Sequence, residues 1–188
     1  MSVREDIDNY NEPNEEFVIT APSEISAHLA FKLGARTTLG VLIELISESK
    51  QELIIASPFI QASKELEDPI IYEALDLAIL RDVNVNIFTT GAGIKLISSD
   101  PIFKGRKNIK YFRPEANLDN DSRLGSHAKF CISDGKKAYL GSANLTWPGL
   151  YGNLEMGILL TGDLAKKVKT FWDLILDEDL VIEVNEFR

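Results

Sequence analysis

The sequence predicts an α/β fold, a mixed, largely parallel sheet flanked by helices on both faces. Three stretches carry that prediction. Residues 52–58, ELIIASP, form a short apolar run bounded by polar residues, which suits a strand covered by helices above and below. Residues 64–81 place Leu66, Ile70, Ile71, Leu75, Ile79 and Leu80 at helical spacing, with Pro69 marking the start of the regular helix. Residues 83–89, VNVNIFT, alternate as a strand does. Strand, helix and strand at these lengths make a crossover unit with parallel strands.

A chain of 188 residues suits one substantial core. The expected organisation is an acidic N-terminal arm over residues 1–20 and a single domain over residues 21–188. The opening residues are acidic and polar, unlike a secretory signal, and no apolar run reaches membrane-spanning length, so a cytoplasmic protein without a membrane partner is expected. The single Cys131 cannot form an internal disulfide. It lies in an apolar strand pattern, as a small buried hydrophobe or as a reactive thiol. The net charge of -9 argues against a nucleic-acid binder, but its distribution is uneven. Residues 95–137 hold ten basic against five acidic residues, a net +5, leaving 10 against 24, or -14, for the remainder. On charge alone, these are either a phosphate-facing surface or solvated loop charges.

Taken in order, a helix begins at Pro22 with Ser23 as N-cap and Ile25, Leu29 and Leu33 on one face. Gly34 interrupts it. A second helix covers residues 37–50 with Leu39, Leu42, Ile43 and Ile46 buried. His28 reads as a packed or edge histidine, since no spaced acid or nucleophile accompanies it. The Gly91-Ala92-Gly93 turn lacks a third glycine, a helix opening directly on it and a placed acid, so it reads as a plain loop and not as a dinucleotide fingerprint. A short helix over 94–98, a strand over 108–113 and a polar loop over 114–126 follow. The last elements are a strand over 153–161, a helix over 164–176 with Val168, Phe171, Trp172 and Ile175 facing the core, and a terminal edge strand or dimer contact.

The stretch that organises the chain is residues 127–144, HAKFCISDGKKAYLGSAN. Strand alternation puts His127, Lys129, Cys131 and Ser133 on one face and Ala128, Phe130, Ile132 and Asp134 on the other. A hairpin turn at Asp134 and Gly135 returns the chain, so that Gly141, Ser142 and Asn144 end near His127 and Lys129. Such a cluster suits attack on a phosphodiester. A histidine is the nucleophile, and a lysine, an amide and a hydroxyl bind the non-bridging oxygens. Glu155 is placed to accept a hydrogen bond from the second imidazole nitrogen and so fix its tautomer. The carboxylates and histidines are not gathered in ligand numbers, so neither a metal nor a cofactor is expected.

His127, Lys129, Asp134, Gly141, Ser142 and Asn144 match every fixed position of the HxK(x)4D(x)6GSxN signature, and the chain resembles the phospholipase D superfamily. Residues 56–60, ASPFI, look like the end of its first strand, and Glu155 falls where its members place the acid that supports the histidine. The resemblance implies a phospholipase D-like α/β sandwich and a metal-independent, two-step mechanism through a phosphohistidine on His127. Lys129, Asn144 and Ser142 would hold the phosphate, while Gly141 and Asp134 serve structure, Asp134 because alternation turns it away from His127.

A second histidine is needed to protonate the leaving oxygen, and this sequence holds one copy of the motif. A two-fold homodimer with a composite active site is therefore expected. The activity expected is that of a nuclease acting on DNA or RNA, similar to the small bacterial nucleases and to components of prokaryotic anti-phage or restriction systems, where further protein partners are implied. The alternatives are a non-catalytic dimeric subunit that binds nucleic acid or protein, and a phospholipase. Trp147 serves either to stack on a base or to pack a core or interface.

Overall fold

A computed structural model describes residues 15–63, 69–115, 119–120 and 123–184. The strands and helices run β1 (Glu15–Thr20), α1 (Ser23–Leu33), β2 (Arg36–Thr37), α2 (Thr38–Glu48), β3 (Glu52–Ala56), α3 (Ile70–Leu80), β4 (Asn84–Phe88), α4 (Gly91–Ser98) and β5 (Ile109–Pro114). They continue as β6 (Asp119–Asn120), β7 (Arg123–Leu124), β8 (Phe130–Ser133), β9 (Lys137–Gly141), β10 (Glu155–Thr161), α5 (Gly162–Asp177) and β11 (Val181–Glu183). A π-helical turn, Pro148–Gly152, precedes β10.

One sheet has the order β11-β5-β4-β3-β8-β9-β10-β1-β2, and β6 pairs with β7 apart from it. The fold is α/β with helices on both faces, and β3, β4 and β5 are parallel. The expectation of a largely parallel sheet is corrected. β8 is antiparallel to β3, β9 to β8, β10 to β9, β1 to β10 and β11 to β5. Connection length accounts for the β8–β9 pair, because a tight turn returns a strand only in the opposite sense, whereas β3–β8, β1–β10 and β11–β5 join strands far apart in the chain, whose direction local pattern does not fix.

Alternation divides the core into two layers. Leu53, Ile55, Val85, Ile87, Cys131 and Tyr139 pack with Leu45 and Ile46 of α2 and with Ile71 and Leu75 of α3. Ile54, Phe88, Phe112, Phe130 and Ile132 face the other way, onto Trp172 of α5. Trp172 is 1% exposed and meets Phe112 edge-on at a centroid separation of 5.1 Å. Cys131 is likewise buried, and burial pushes its thiol up to about 12, so it stays protonated.

Several local expectations are corrected. Glu15–Thr20, assigned to the acidic arm of residues 1–20, is a strand paired with β10 and β2, with Val18 in the core. Residues 1–14 lie outside the described residues, as do Lys64 and Leu66. Helix α1 buries none of its residues; Pro22 rather than Ser23 is its N-cap, and Gly34 ends it in the left-handed region at φ 59°. Gly91, Ala92 and Gly93 are not a loop but the first turn of α4, whose N-cap Thr90 accepts a hydrogen bond from the Gly93 N–H. A Thr one residue before the turn was the capping signal. Phe171, expected in the core, is half exposed.

Asp134 fastens the two halves of the sheet. It sits in the β8–β9 turn at φ 51°, and its carboxylate accepts the backbone N–H groups of Lys50, Gln51 and Glu52 at 3.0, 2.8 and 2.9 Å. Burial alone would raise its pKa, but these donors, with the charge of Lys136, hold it below the usual carboxylate range. A depressed folded-state pKa contributes stability that is present above the unfolded value and is lost as pH falls through the folded one. Asp134→Ala is therefore expected to destabilise the protein by about 2 kcal/mol at neutral pH, with the difference from wild type narrowing in acid to the pH-independent cost of Ala at φ 51°. Urea unfolding of both proteins across that range checks this; a difference that does not depend on pH would refute it.

Candidate active site

The strand β8 is covered on both faces, so the residues just before it emerge at the end of the sheet. Lys129 is 5% exposed while His127 is exposed. The Lys129 ammonium donates to the His127 carbonyl oxygen at 2.9 Å and stands 3.2 Å from Nδ1 and 3.4 Å from Nε2 of the imidazole. The two side chains are thus side by side.

Burial lowers the pKa of Lys129, and the charge of Glu155 opposes that shift. Among the described residues no carboxylate lies within ion-pair distance of its ammonium. A positive charge short of water and of a counter-ion suits an anionic guest, because attraction strengthens where solvent is excluded.

The turn after β9 closes the cluster. The Gly141 N–H bonds the Lys129 carbonyl oxygen at 3.1 Å, extending the ladder past β8 to the motif lysine. A Cβ at Gly141 would lie 2.2 Å from the Tyr139 hydroxyl oxygen and 3.0 Å from the Met156 carbonyl oxygen, so a side chain here would force the β9–β10 pair apart. Asn144 follows, its Oδ1 3.5 Å from the hydroxyl oxygen of Ser57 at the end of β3. That hydroxyl donates to the Phe59 carbonyl oxygen at 2.7 Å and accepts the Leu145 N–H at 3.0 Å. Ser57, 3% exposed, thereby ties the Asn144 loop to β3. Sequence reasoning did not single it out as a site residue, although a serine ending a buried apolar strand is a polar group that needs partners.

Glu155 is not where the sequence reading puts it. Its carboxylate accepts the Ser142 hydroxyl through Oε2 and the Asn153 side-chain amide through Oε1 at 3.0 Å, and it makes no hydrogen bond to His127. The antiparallel pairing of β9 with β10 explains this. Ser142 stands beside the start of β10, its N–H bonded to the Met156 carbonyl oxygen and its Oγ accepting the Met156 N–H at 3.1 Å, so its hydroxyl meets the carboxylate first. Ser142 thus spends its one proton on Glu155, which leaves the Lys129 ammonium and the Asn144 amide as the candidate donors of the cluster. His28 lies on α1, exposed. Among the described residues no three His, Cys, Asp or Glu side chains gather as a metal site requires, and no helix is long and apolar enough to cross a membrane.

Residues 42–175 match the family described as cardiolipin synthase, PLD-like domain. The chain belongs to this phospholipase D-like family. A relative named DISARM protein DrmC, from Bacillus paralicheniformis, is 29% identical over 167 residues, or 86% of this chain. The chain spans 63% of that relative's length. Two solved structures share the fold. Nuc, a phospholipase D family member from Salmonella typhimurium, superimposes with a TM-score of 0.59 at 17% identity, over 92% of this chain and 99% of that one. NucT from Helicobacter pylori does so with 0.60 at 17% identity, over 87% and 96%. At such identity the likeness concerns the fold alone.

Two outcomes are expected of this phospholipase D-like site. In a pH titration followed by NMR at the Lys129 side chain, the ammonium gives up its proton below the usual lysine range, because burial disfavours the charge; a midpoint within that range would refute it. Ser142→Ala releases the Glu155 carboxylate, so added phosphate, read by its 31P resonance, binds more weakly through repulsion by the freed acid. Unchanged binding would show that Ser142 does not restrain Glu155.

Proposed function

We propose that this chain is a metal-independent phosphodiesterase that cleaves nucleic acid through a phosphohistidine on His127. The observation that carries the reading is the exposed His127 imidazole held against the ammonium of the buried Lys129, with Asn144 brought to the same end of the sheet. In the first step a ring nitrogen attacks phosphorus, the bond to the leaving oxygen breaks, and that oxygen takes a proton from an acid. In the second, water attacks phosphorus and gives its proton back to the same group, while the phosphorus–nitrogen bond breaks. Lys129 and Asn144 donate to the non-bridging oxygens, whose charge grows in the transition state. Gly141 and Asp134 act through structure, and Ser142 and Glu155 act as a pair beside the histidine.

The proton donor is assigned to the same histidine of a second copy, in a homodimer with a composite site. An apolar strip supports this. Phe17, Ile158 and Leu140 align across β1, β10 and β9, and with Met156 they are between 40% and 65% exposed, directly beside Gly141 and Glu155. Helix α5 covers Phe130, the next residue of that row, but stops short of the other three. The kinship with a DISARM protein fits work in a multi-protein prokaryotic system, which we assign to anti-phage defence or restriction in the cytoplasm. The second reading is a non-catalytic, nucleic-acid- or protein-binding dimer. One observation favours it: among the described residues no carboxylate bonds the imidazole to raise its basicity.

Incubation with a panel of single- and double-stranded DNA and RNA in EDTA separates the two. Cleavage is expected, lowered at least about a thousandfold in His127→Ala, with an acid-labile phosphorus adduct trapped on wild type. Cleavage only with added magnesium, or retention without turnover, would overturn the catalytic reading. Leu140→Glu is expected to yield an inactive monomer by sedimentation; a wild-type monomer with full activity would refute the composite site.

A further inference from the structure

A second groove lies beside the loop that follows Ser57. The loop after β3 and the loop after β9 are zipped together: Ile60 bridges Leu145, the Gln61 N–H bonds the Leu145 carbonyl oxygen at 3.1 Å, and the Trp147 N–H bonds the Gln61 side-chain oxygen. An aromatic side chain stands exposed on each. Phe59 is 48% exposed and Trp147 37%. Trp147 is backed by Tyr151, stacked at 6.0 Å and 22°. Phe59 forms one wall of a groove of 440 Å³ whose other side is Thr90, Gly91, Ala92, Gly93 and Leu96.

Position and charge together indicate what this groove takes. Phe59 lies two residues from Ser57, and so at most about 7 Å along the chain from the serine that touches Asn144. A guest whose phosphate sits at Lys129 and Asn144 therefore has its adjoining group at Phe59. Among the described residues no carboxylate lines the groove. Its floor is the first turn of α4, which carries no acid, and Lys95 is exposed one turn further along the same face. An acyl chain gains nothing from a positive surface, whereas a strand that alternates flat bases with phosphates is matched on both counts.

We propose that Phe59 is a base-stacking residue for a single-stranded polynucleotide whose phosphate occupies the His127 site. This rests on the nucleic-acid reading above, and deepens it by naming the strandedness and a residue that determines it. The Phe59 carbonyl oxygen accepts the Ser57 hydroxyl, which restrains the backbone that carries the ring. A duplex keeps its bases stacked on one another and offers none to the ring.

The test compares a base-bearing and an abasic single-stranded oligonucleotide of equal length, with affinity read by fluorescence anisotropy on the full chain. All proteins carry His127→Ala so that the strand is not consumed. The preference for the base-bearing strand is expected to fall by about tenfold or more in Phe59→Ala and to return in Phe59→Trp. An equal preference in all three proteins would overturn the proposal. So would a Phe59→Ala protein whose sedimentation shows a changed oligomeric state, which would make Phe59 a packing residue. Retention on phosphatidylglycerol vesicles that depends on Phe59, with base preference intact, would overturn it in favour of a lipid contact. If wild type fails to cleave yet the base preference follows Phe59, the catalytic reading fails and this one stands; cleavage without a Phe59-dependent preference has the opposite meaning.

Discussion

The anchoring of β8 into the middle of the sheet is the constraint from which the rest follows. It is a short strand, Phe130–Ser133, buried on both faces and antiparallel to both neighbours. Its position depends on the Asp134 carboxylate, which gathers three consecutive backbone N–H groups at the entry to β3. A charged acceptor shared by three donors is a strong local tie. Because it joins residues more than eighty apart in sequence, it sets the register of β8 against β3 and so the level at which Lys129 and His127 leave the sheet.

That level determines the electrostatics. Lys129 emerges where the sheet still excludes water, beside the exposed His127, and among the described residues no carboxylate forms an ion pair with it, Glu155 acting only at longer range. Ser142 and Asn153 hold the Glu155 carboxylate instead. The result is a site whose positive charge is available to a guest. An Asn from the next loop completes it, carried on a turn that Gly141 allows and that Ser57 ties to β3. Three elements distant in sequence thus meet at one sheet end, each held by a bond to a strand.

The uneven cover of the sheet is the second consequence. Helix α5 covers Phe130 of β8, Ala138 of β9 and Leu160 of β10 but leaves Phe17, Leu140, Met156 and Ile158 exposed on that face. Apolar area of this kind is unusual on a surface that faces only water. The helices α2 and α3 fill the opposite layer, the face that alternation gives to Lys129 with Cys131, so the bare strip and the cluster share one end of the sheet but lie on opposite faces.

The sequence by itself determined the α/β class, the helices on both faces, the parallel pair β3–β4 and the pairing of His127 with Lys129. All of these follow from local periodicity, which survives without knowledge of partners. The spacing of the motif alone placed Asp134 opposite His127. Only the tertiary structure decided the antiparallel half of the sheet, the entry of Glu15–Thr20 into it, the exposure of α1, and the capture of Glu155 by Ser142. These are choices among partners, and a carboxylate bonds whichever donor the strand register brings nearest. The role of Ser57 was illegible for the same reason: the Asn144 and Leu145 groups it touches lie 87 and 88 residues away, and only the fold closes that distance.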